Sequence, residues 1–175
     1  MKNLIYLLSG MIILLCVQAC QDKKGKNYNQ GQGEPEGITF IKNGIEDGLT
    51  ETKASGLAIT NSNNQKVIGL AKMIIDDHAK IGEELLQLKA DKKITEPDTI
   101  NSAHQQMIKD LSKKSGASFD KAYLQMVVVD HEQAVKLFTD AATNTDGKIK
   151  KIALQNLPTV KMHLDSANAI CITLK

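Results

Sequence analysis

The sequence predicts an all-α protein, an antiparallel four-helix bundle with one additional short helix in the connector between the second and third long helices. Apolar residues recur at helical spacing along four long stretches, and no stretch alternates as a half-buried strand would. Aromatic residues are few, with three Phe, three Tyr and no Trp. Two helical hairpins with a core of Leu, Ile, Val and Ala account for all three features.

The composition disfavours nucleic-acid binding. The chain of 175 residues carries 22 basic and 20 acidic residues, and every basic residue is Lys. Arg is the residue that reads guanine and phosphate with two parallel hydrogen bonds, and no concentrated basic face replaces it. The length suits one domain with its own core.

Residues 1–19 are predicted to be a lipoprotein signal peptide. Lys2 supplies a positive start, an apolar run follows, and Val17-Gln-Ala-Cys20 resembles the lipobox of bacterial lipoproteins. This implies cleavage before Cys20 and lipid attachment to its thiol, so the predicted partner is a membrane of the bacterial envelope. Gln21 and Asp22 favour the outer membrane. The alternative is an ordinary secretory signal in which Cys20 occurs by chance.

Residues 20–37 are predicted to form a flexible tether, and residues 38–175 the bundle. The tether is rich in Gly, Asn, Gln and Lys, so it cannot bury enough apolar surface to offset the cost of ordering. Cys16 leaves with the signal. If Cys20 carries lipid, Cys171 has no internal disulfide partner.

The first long helix is predicted over about residues 38–58. Gly44, Gly48 and Gly56 each weaken it by about 1 kcal/mol relative to Ala, so close packing must stabilise it. The second helix follows the turn and N-cap signal Asn61-Ser-Asn-Asn64 and runs to about residue 90.

The connector, residues 91–116, is predicted to hold a short helix begun by Pro97-Asp98. Ser118 is expected to cap the third long helix, and residues 143–147 form a tight turn before the fourth, residues 148–174. Within that helix, Pro158 should cause a kink or leave a carbonyl unpaired.

Two helices repeat one pattern. Met73 is followed five residues later by His78, and Met126 by His131, each time with Asp immediately before the His. Apolar residues at helical spacing share a face with each histidine. Both rings are therefore expected to point into the core.

The sequence is similar to a bacterial envelope family, domain of unknown function 4142. The resemblance extends over nearly all of residues 40–174, and it is most specific in Gly116-Ala-Ser-Phe-Asp-Lys-Ala-Tyr123 and Asp130-His-Glu-Gln-Ala-Val135. It implies a ferritin-like helical bundle in an exported protein and carries no activity. The chain departs from the family at Glu46-Asp47-Gly48.

Three histidines on separate helices are candidate metal ligands: His78, His131 and His163. The chain has no Glu-x-x-His pair, so the usual di-iron centre of ferritin-like proteins is not expected. A three-histidine site completed by Glu46 or Glu51 would suit a divalent metal such as zinc, copper or iron.

Helix rise determines whether these residues can meet. At ~1.5 Å per residue, His78 lies ~24 Å from the first hairpin turn, and His131 and His163 lie ~21 and ~27 Å from the second. If both turns lie at the same end, the three imidazoles and Glu46 occupy one level. If the connector crosses the whole bundle, His131 is level with Glu51, and His78 and His163 are more than ~10 Å apart. The sequence leaves both arrangements open.

Other readings of these residues compete with a metal site. Each histidine can be a core residue that is hydrogen-bonded across the bundle. Asp77 and Asp130 precede their histidines and point about 100° away from them, toward solvent or a neighbouring helix. His104 and Met107 share one face and could hold copper, although packing by Met107 explains the pair more simply. Two functions follow: a lipid-anchored, non-catalytic binding or structural module, or a metal-binding or metal-dependent redox protein.

Overall fold

The computed structural model describes residues 33–174, and all the regular secondary structure in that range is helical. The predicted signal peptide, Cys20 and most of the predicted tether lie outside these residues. The five helices are α1 Gly33–Asn61, α2 Gln65–Asp91, α3 Ser102–Leu111, α4 Gly116–Ala141 and α5 Gly147–Thr173. In this part of the chain, no helix combines the length and apolar character needed to cross a bilayer.

Local signals explain most helix boundaries. Helix α1 begins at Gly33, five residues before the predicted start, and Pro35 is tolerated because it lies in the first turn. Helix α2 has the predicted cap, since the Asn64 side chain accepts a hydrogen bond from the Lys66 backbone N–H at 3.0 Å. Helix α5 is capped by Asp146, which accepts from two backbone N–H groups in its first turn.

Two further predicted starts are wrong. Helix α3 begins at Ser102 and not at Pro97-Asp98, because Asn101 caps it and Asp98 is paired with the Lys89 ammonium instead. Helix α4 begins after Ser115, and Ser118 does not cap it. The Ser118 hydroxyl lies inside the first turn and donates to the Ser115 carbonyl at 2.9 Å.

The four long helices pack in a ring. Helix α1 packs on α2 and α4, and α5 packs on the same two helices from the opposite side. At one end of the ring, Lys92 after α2 pairs with Asp146 before α5. At the other end, the Asn61 amide donates to the Lys114 carbonyl at 3.0 Å. The two hairpin turns therefore lie at opposite ends, and the connector runs the length of the ring.

Neighbouring helices in the ring are antiparallel. The Phe40 ring, near the start of α1, meets the Phe138 ring, near the end of α4, with centroids 5.1 Å apart. Further along α1, the Ser55 hydroxyl lies 2.8 Å from the Tyr123 hydroxyl, near the start of α4. Helix α3, in the connector, packs against α1 and α4.

The core consists of two apolar clusters stacked along the bundle. The first is nearer the turn between α1 and α2, and contains Ala54, Ala58, Val67, Leu70, Ala71, Ile74, Leu111, Phe119, Tyr123, Leu124, Met126, Val127 and Ala167. The second is nearer the turn between α4 and α5, and contains Phe40, Ile41, Ile45, Ile81, Leu85, Leu88, Ala134, Phe138, Ala141, Ile149, Ala153 and Val160. A polar layer separates the two clusters.

Helix α5 continues through Pro158. A proline has no N–H to offer the carbonyl four residues earlier, which here belongs to Leu154. Leu154 is exposed, so water can take the place of the missing donor.

The glycines of α1 differ in how closely their neighbours approach. A Cβ on Gly44 would lie 2.8 Å from Cδ1 of Leu85, a fully buried side chain of α2. A Cβ on Gly56 would meet nothing within 4 Å. The predicted requirement for close packing therefore applies to Gly44 and not to Gly56.

We expect Gly56→Ala to stabilise the protein by about 0.5–1 kcal/mol, because alanine restricts the unfolded chain and favours the helix. In Gly44→Ala the new methyl group must displace Leu85, and such overpacking costs roughly 1–3 kcal/mol. Chemical denaturation of both variants measures the difference. Equal stabilisation by the two substitutions would contradict the close approach of α1 and α2 at Gly44.

Candidate metal centre

One polar residue from each of the four long helices forms the layer between the apolar clusters. These residues are Glu51, His78, His131 and His163, and their exposed fractions are 2%, 8%, 1% and 0%. Along α2, for example, His78 lies between Ile74 of the first cluster and Ile81 of the second. We call these four side chains the polar layer.

The three imidazole rings of the layer lie against one another. The ring centroids of His78 and His131 are 5.7 Å apart, those of His78 and His163 are 5.7 Å apart, and those of His131 and His163 are 5.2 Å apart. One ring nitrogen from each histidine lies within 4.8 Å of the other two. The structure therefore brings together all three histidines that the sequence placed on separate helices.

This proximity corrects one expectation from helix rise. The connector crosses the bundle, and for that arrangement the sequence predicted more than ~10 Å between His78 and His163. The prediction was wrong because it counted each histidine's distance from its own hairpin turn. It assumed that the ends of the two hairpins are level, whereas they are staggered along the bundle axis. Measured along the helix axes from the contact of Lys92 with Asp146, His78 lies ~21 Å away and His163 ~26 Å away, a difference of only ~5 Å. Side chains tilt toward the N-terminus of their helix, so on antiparallel helices these two rings converge.

The proton of His163 is placed by Asp77. His163 Nε2 lies 3.2 Å from Asp77 Oδ2, on α2. A carboxylate only accepts, so Nε2 carries the hydrogen and donates it. In the neutral ring, Nδ1 of His163 then holds a lone pair. Sequence reasoning missed this role, because Asp77 points away from its neighbour His78 and toward the next helix.

The proton of His131 is placed by its own helix. His131 Nδ1 lies 3.0 Å from the Val127 carbonyl oxygen, which only accepts. Glu51 Oε1 lies on the same side of the ring, 3.4 Å from Nδ1. Nδ1 therefore carries the hydrogen, and in the neutral ring Nε2 holds a lone pair.

The inward nitrogens of His131 and His163 lack a proton between them when both rings are neutral. His131 Nε2 and His163 Nδ1 face each other at 3.2 Å, and in neutral rings each holds a lone pair. His78 Nε2 is buried and has no hydrogen-bond partner. A proton on His131 would let Nε2 donate to His163 Nδ1, but His78 Nε2 would still have no partner, and leaving a buried polar nitrogen unpartnered costs free energy.

The surroundings keep two of the rings neutral. Burial, together with the nearby His131 and His163, lowers the pKa of His78 to about 3. Burial and His131 also lower the pKa of His163, although Asp77 opposes this. For His131, burial alone would lower the pKa, but the Glu51 carboxylate, the Val127 carbonyl and Asp130 together raise it. Neutral imidazole is the form that binds metals.

Neither of the two carboxylates proposed from the sequence as completing ligands lies between the three rings. Glu51 belongs to the polar layer, level with His131, but it lies behind that ring at Nδ1. Neither of its buried oxygens has a hydrogen-bond partner. Glu46 is not with the three histidines, because its level was predicted for turns at the same end. It lies beside His104, with Oε1 2.7 Å from Nδ1.

The pairing of His104 with Met107 does not form a site. Met107 is partly buried and packs against the first apolar cluster. The His104 ring is bound instead to Glu46 on α1, with Asp130 of α4 on its other side at 4.0 Å.

The fold and the layer define a class: an all-helical domain with histidines gathered in its core. The chain belongs to the family described as "Domain of unknown function (DUF4142)", whose model matches residues 23–170. The resemblance stated from the sequence motifs is thereby confirmed.

A solved structure shares the fold. The crystal structure of a DUF305 fragment from Deinococcus radiodurans superposes with a TM-score of 0.71. The similarity covers 80% of this chain and 97% of that one at 14% sequence identity, so it shows a common fold and no more. No curated protein matches the chain.

Proposed function

We propose that this protein binds one first-row transition-metal ion, zinc or copper, between His78, His131 and His163. The observation that carries the proposal is the pair of outward hydrogen bonds on His131 and His163. Each ring donates a proton outward, so in the neutral rings the two inward nitrogens present lone pairs that face each other at 3.2 Å.

The spacing of the inward nitrogens suits coordination. Two nitrogens bound at 2.0–2.1 Å to a tetrahedral ion are separated by ~3.3 Å. The observed separation of His131 Nε2 and His163 Nδ1 is 3.2 Å. His78 also offers a ring nitrogen, and one nitrogen from each of the three histidines lies within 4.8 Å of the other two. Imidazole ligands suit zinc and copper.

A metal ion would give a partner to more of the buried ring nitrogens than a single proton would. A single proton between His131 and His163 would satisfy those two nitrogens, with Glu51 balancing the charged ring. His78 Nε2 would still be buried without a partner. A metal ion satisfies all three nitrogens at once.

The charges behind the rings match a divalent ion. Glu51 lies behind His131 and Asp77 behind His163, at 3.4 Å and 3.2 Å from the outer ring nitrogens. A carboxylate or carbonyl that accepts the outer N–H of a metal-binding histidine orients the ring and makes it a better ligand. Two carboxylates also balance a charge of 2+ in a layer that is otherwise apolar above and below.

The burial of the site favours binding over turnover. A catalytic zinc keeps an open position that the substrate can reach. The three rings here are at most 8% exposed. We therefore propose a non-catalytic metal-binding or structural module. Its helix order and long crossover connection support a ferritin-like four-helix arrangement, with three histidines replacing the Glu-x-x-His pairs of di-iron proteins.

Metal analysis tests the proposal directly. Protein purified without a His tag should bind about one equivalent of Zn²⁺ or Cu²⁺ per chain, because three imidazoles form one site. The variant His78→Ala/His131→Ala should lose this tight binding. His104→Ala, which changes a histidine outside the layer, should keep it. A folded double variant that binds Zn²⁺ or Cu²⁺ with the affinity and stoichiometry of the wild type would contradict the proposal.

The role of Asp77 can be tested separately. Loss of a carboxylate that orients a metal-binding histidine typically costs 10–100-fold in metal affinity. We expect a decrease of about that size for Asp77→Ala in a competition titration against a chelator. Asp76→Ala is the matched control, because Asp76 is the exposed neighbour on the same helix. Equal affinities for the two variants would remove Asp77 from the site.

We also propose that Cys20 anchors the domain to the outer membrane of a bacterial envelope. Support comes from the apolar run before Val17-Gln-Ala-Cys20 and from the polar segment that follows. Because a lipidated cysteine would be the attachment point, Cys20→Ser should move the protein to the soluble fraction after cell fractionation. Cys16→Ser, inside the segment that would be removed, should leave it with the membranes. A Cys20→Ser protein that still sediments with membranes would locate the anchor elsewhere.

A further inference from the structure

A second cluster of metal-ligating side chains lies outside the polar layer. Glu46 and Asp47 of α1 and His104 of α3 each offer a ligand atom, and these atoms lie within 4.8 Å of one another. Asp130 of α4 joins them, with Oδ1 4.0 Å from His104 Nε2. Three helices thus bring three carboxylates and one imidazole to one place, which we call the surface cluster.

The His104 ring is oriented for coordination. Its Nδ1 lies 2.7 Å from Glu46 Oε1, which accepts the Nδ1 hydrogen. Glu46 is itself held in place, since its Oε1 also accepts from the Asn101 backbone N–H at 3.1 Å. In the neutral ring, His104 Nε2 then holds a lone pair directed toward Asp130.

A buried carboxylate oxygen in the surface cluster has no partner. The Asp130 side chain is only 10% exposed, and its Oδ2 is buried without a hydrogen bond. Such an atom is costly to bury unless a cation or a donor reaches it. The group that faces Asp130 is the His104 ring, whose Nε2 lies 4.0 Å from Oδ1 and does not reach Oδ2 within hydrogen-bond distance.

Solvent reaches the surface cluster through an open cleft of about 520 Å³. Glu46, Asp47 and His104 line it, together with the amide side chains of Asn43 and Gln133. An ion can therefore enter from outside the bundle, and water can complete its coordination.

We propose that Asp47, Asp130 and Nε2 of His104 form a second divalent-cation site, oxygen-rich and open to solvent, that takes a harder ion such as Mn²⁺ or Fe²⁺, while Glu46 orients the His104 ring. Carboxylates and water suit such ions, and one imidazole is compatible with them. The buried polar layer, with only nitrogen facing its centre, suits a different class of ion. The second site stands on its own contacts and does not depend on the three-histidine centre.

Titration with Mn²⁺, followed by loss of the electron paramagnetic resonance signal of the free ion, tests the site. The wild-type chain should bind one Mn²⁺. Asp47→Asn should weaken binding by at least about tenfold, because affinity follows the number of charged ligands. Asp140→Asn is the matched control, since Asp140 lines the same cleft but is exposed and paired with Lys136. It should bind as the wild type does.

The location of the ion separates this site from the polar layer. Mn²⁺ bound to the surface cluster should broaden the amide resonances of residues 101–105 more than those around residue 163. His163→Gln should retain Mn²⁺ binding, with circular dichroism showing that each variant is folded. The proposal is overturned if the wild type shows no saturable binding, if Asp47→Asn binds normally, or if His163→Gln loses the ion. Failure of Zn²⁺ or Cu²⁺ to bind the three histidines would leave these results unaffected.

Discussion

Everything in the interior is arranged around three imidazoles that share one level of the core. Burying a polar nitrogen is unfavourable unless it finds a partner, and here three such nitrogens are buried together. The outer nitrogens of His131 and His163 are held by a backbone carbonyl and a carboxylate, which fixes the orientation of these two rings. Nε2 of His78 is left without a hydrogen-bond partner.

The layer also divides the core. Above and below it the packing is largely apolar, and apolar contacts are not directional. A row of polar groups with defined partners has one register only, because a shift of one turn, about 5.4 Å, separates His163 from Asp77 and His131 from His163. We interpret the layer as the element that sets the relative height of the four helices, in the way that a single buried polar residue sets register in coiled coils.

The fold itself tolerates wide sequence change. The DUF305 fragment has a similar fold at 14% identity, as expected if apolar periodicity and short turns determine the architecture. The histidines and carboxylates are additions to that architecture. The polar layer occupies the core, and the surface cluster occupies a side of the bundle where α3 lies against α1 and α4. Both the polar layer and the surface cluster depend on which residues of neighbouring helices lie at the same level along the bundle axis.

The sequence by itself determined the features that depend on neighbours along the chain. Helical periodicity predicted the four long helices and the inward direction of His78 and His131, and the cap at Asn64 was readable because it bonds two residues ahead. One local signal failed: Pro97-Asp98 was predicted to begin α3. The Asp98 carboxylate is paired with Lys89 of α2, and Asn101 caps α3 instead. The tertiary structure alone decided that the connector crosses the bundle, that Asp77 serves His163, and that Glu46 meets His104. The physical reason is that a fixed rise of ~1.5 Å per residue places a side chain along its own helix, whereas contacts between helices depend on stagger, which only packing determines.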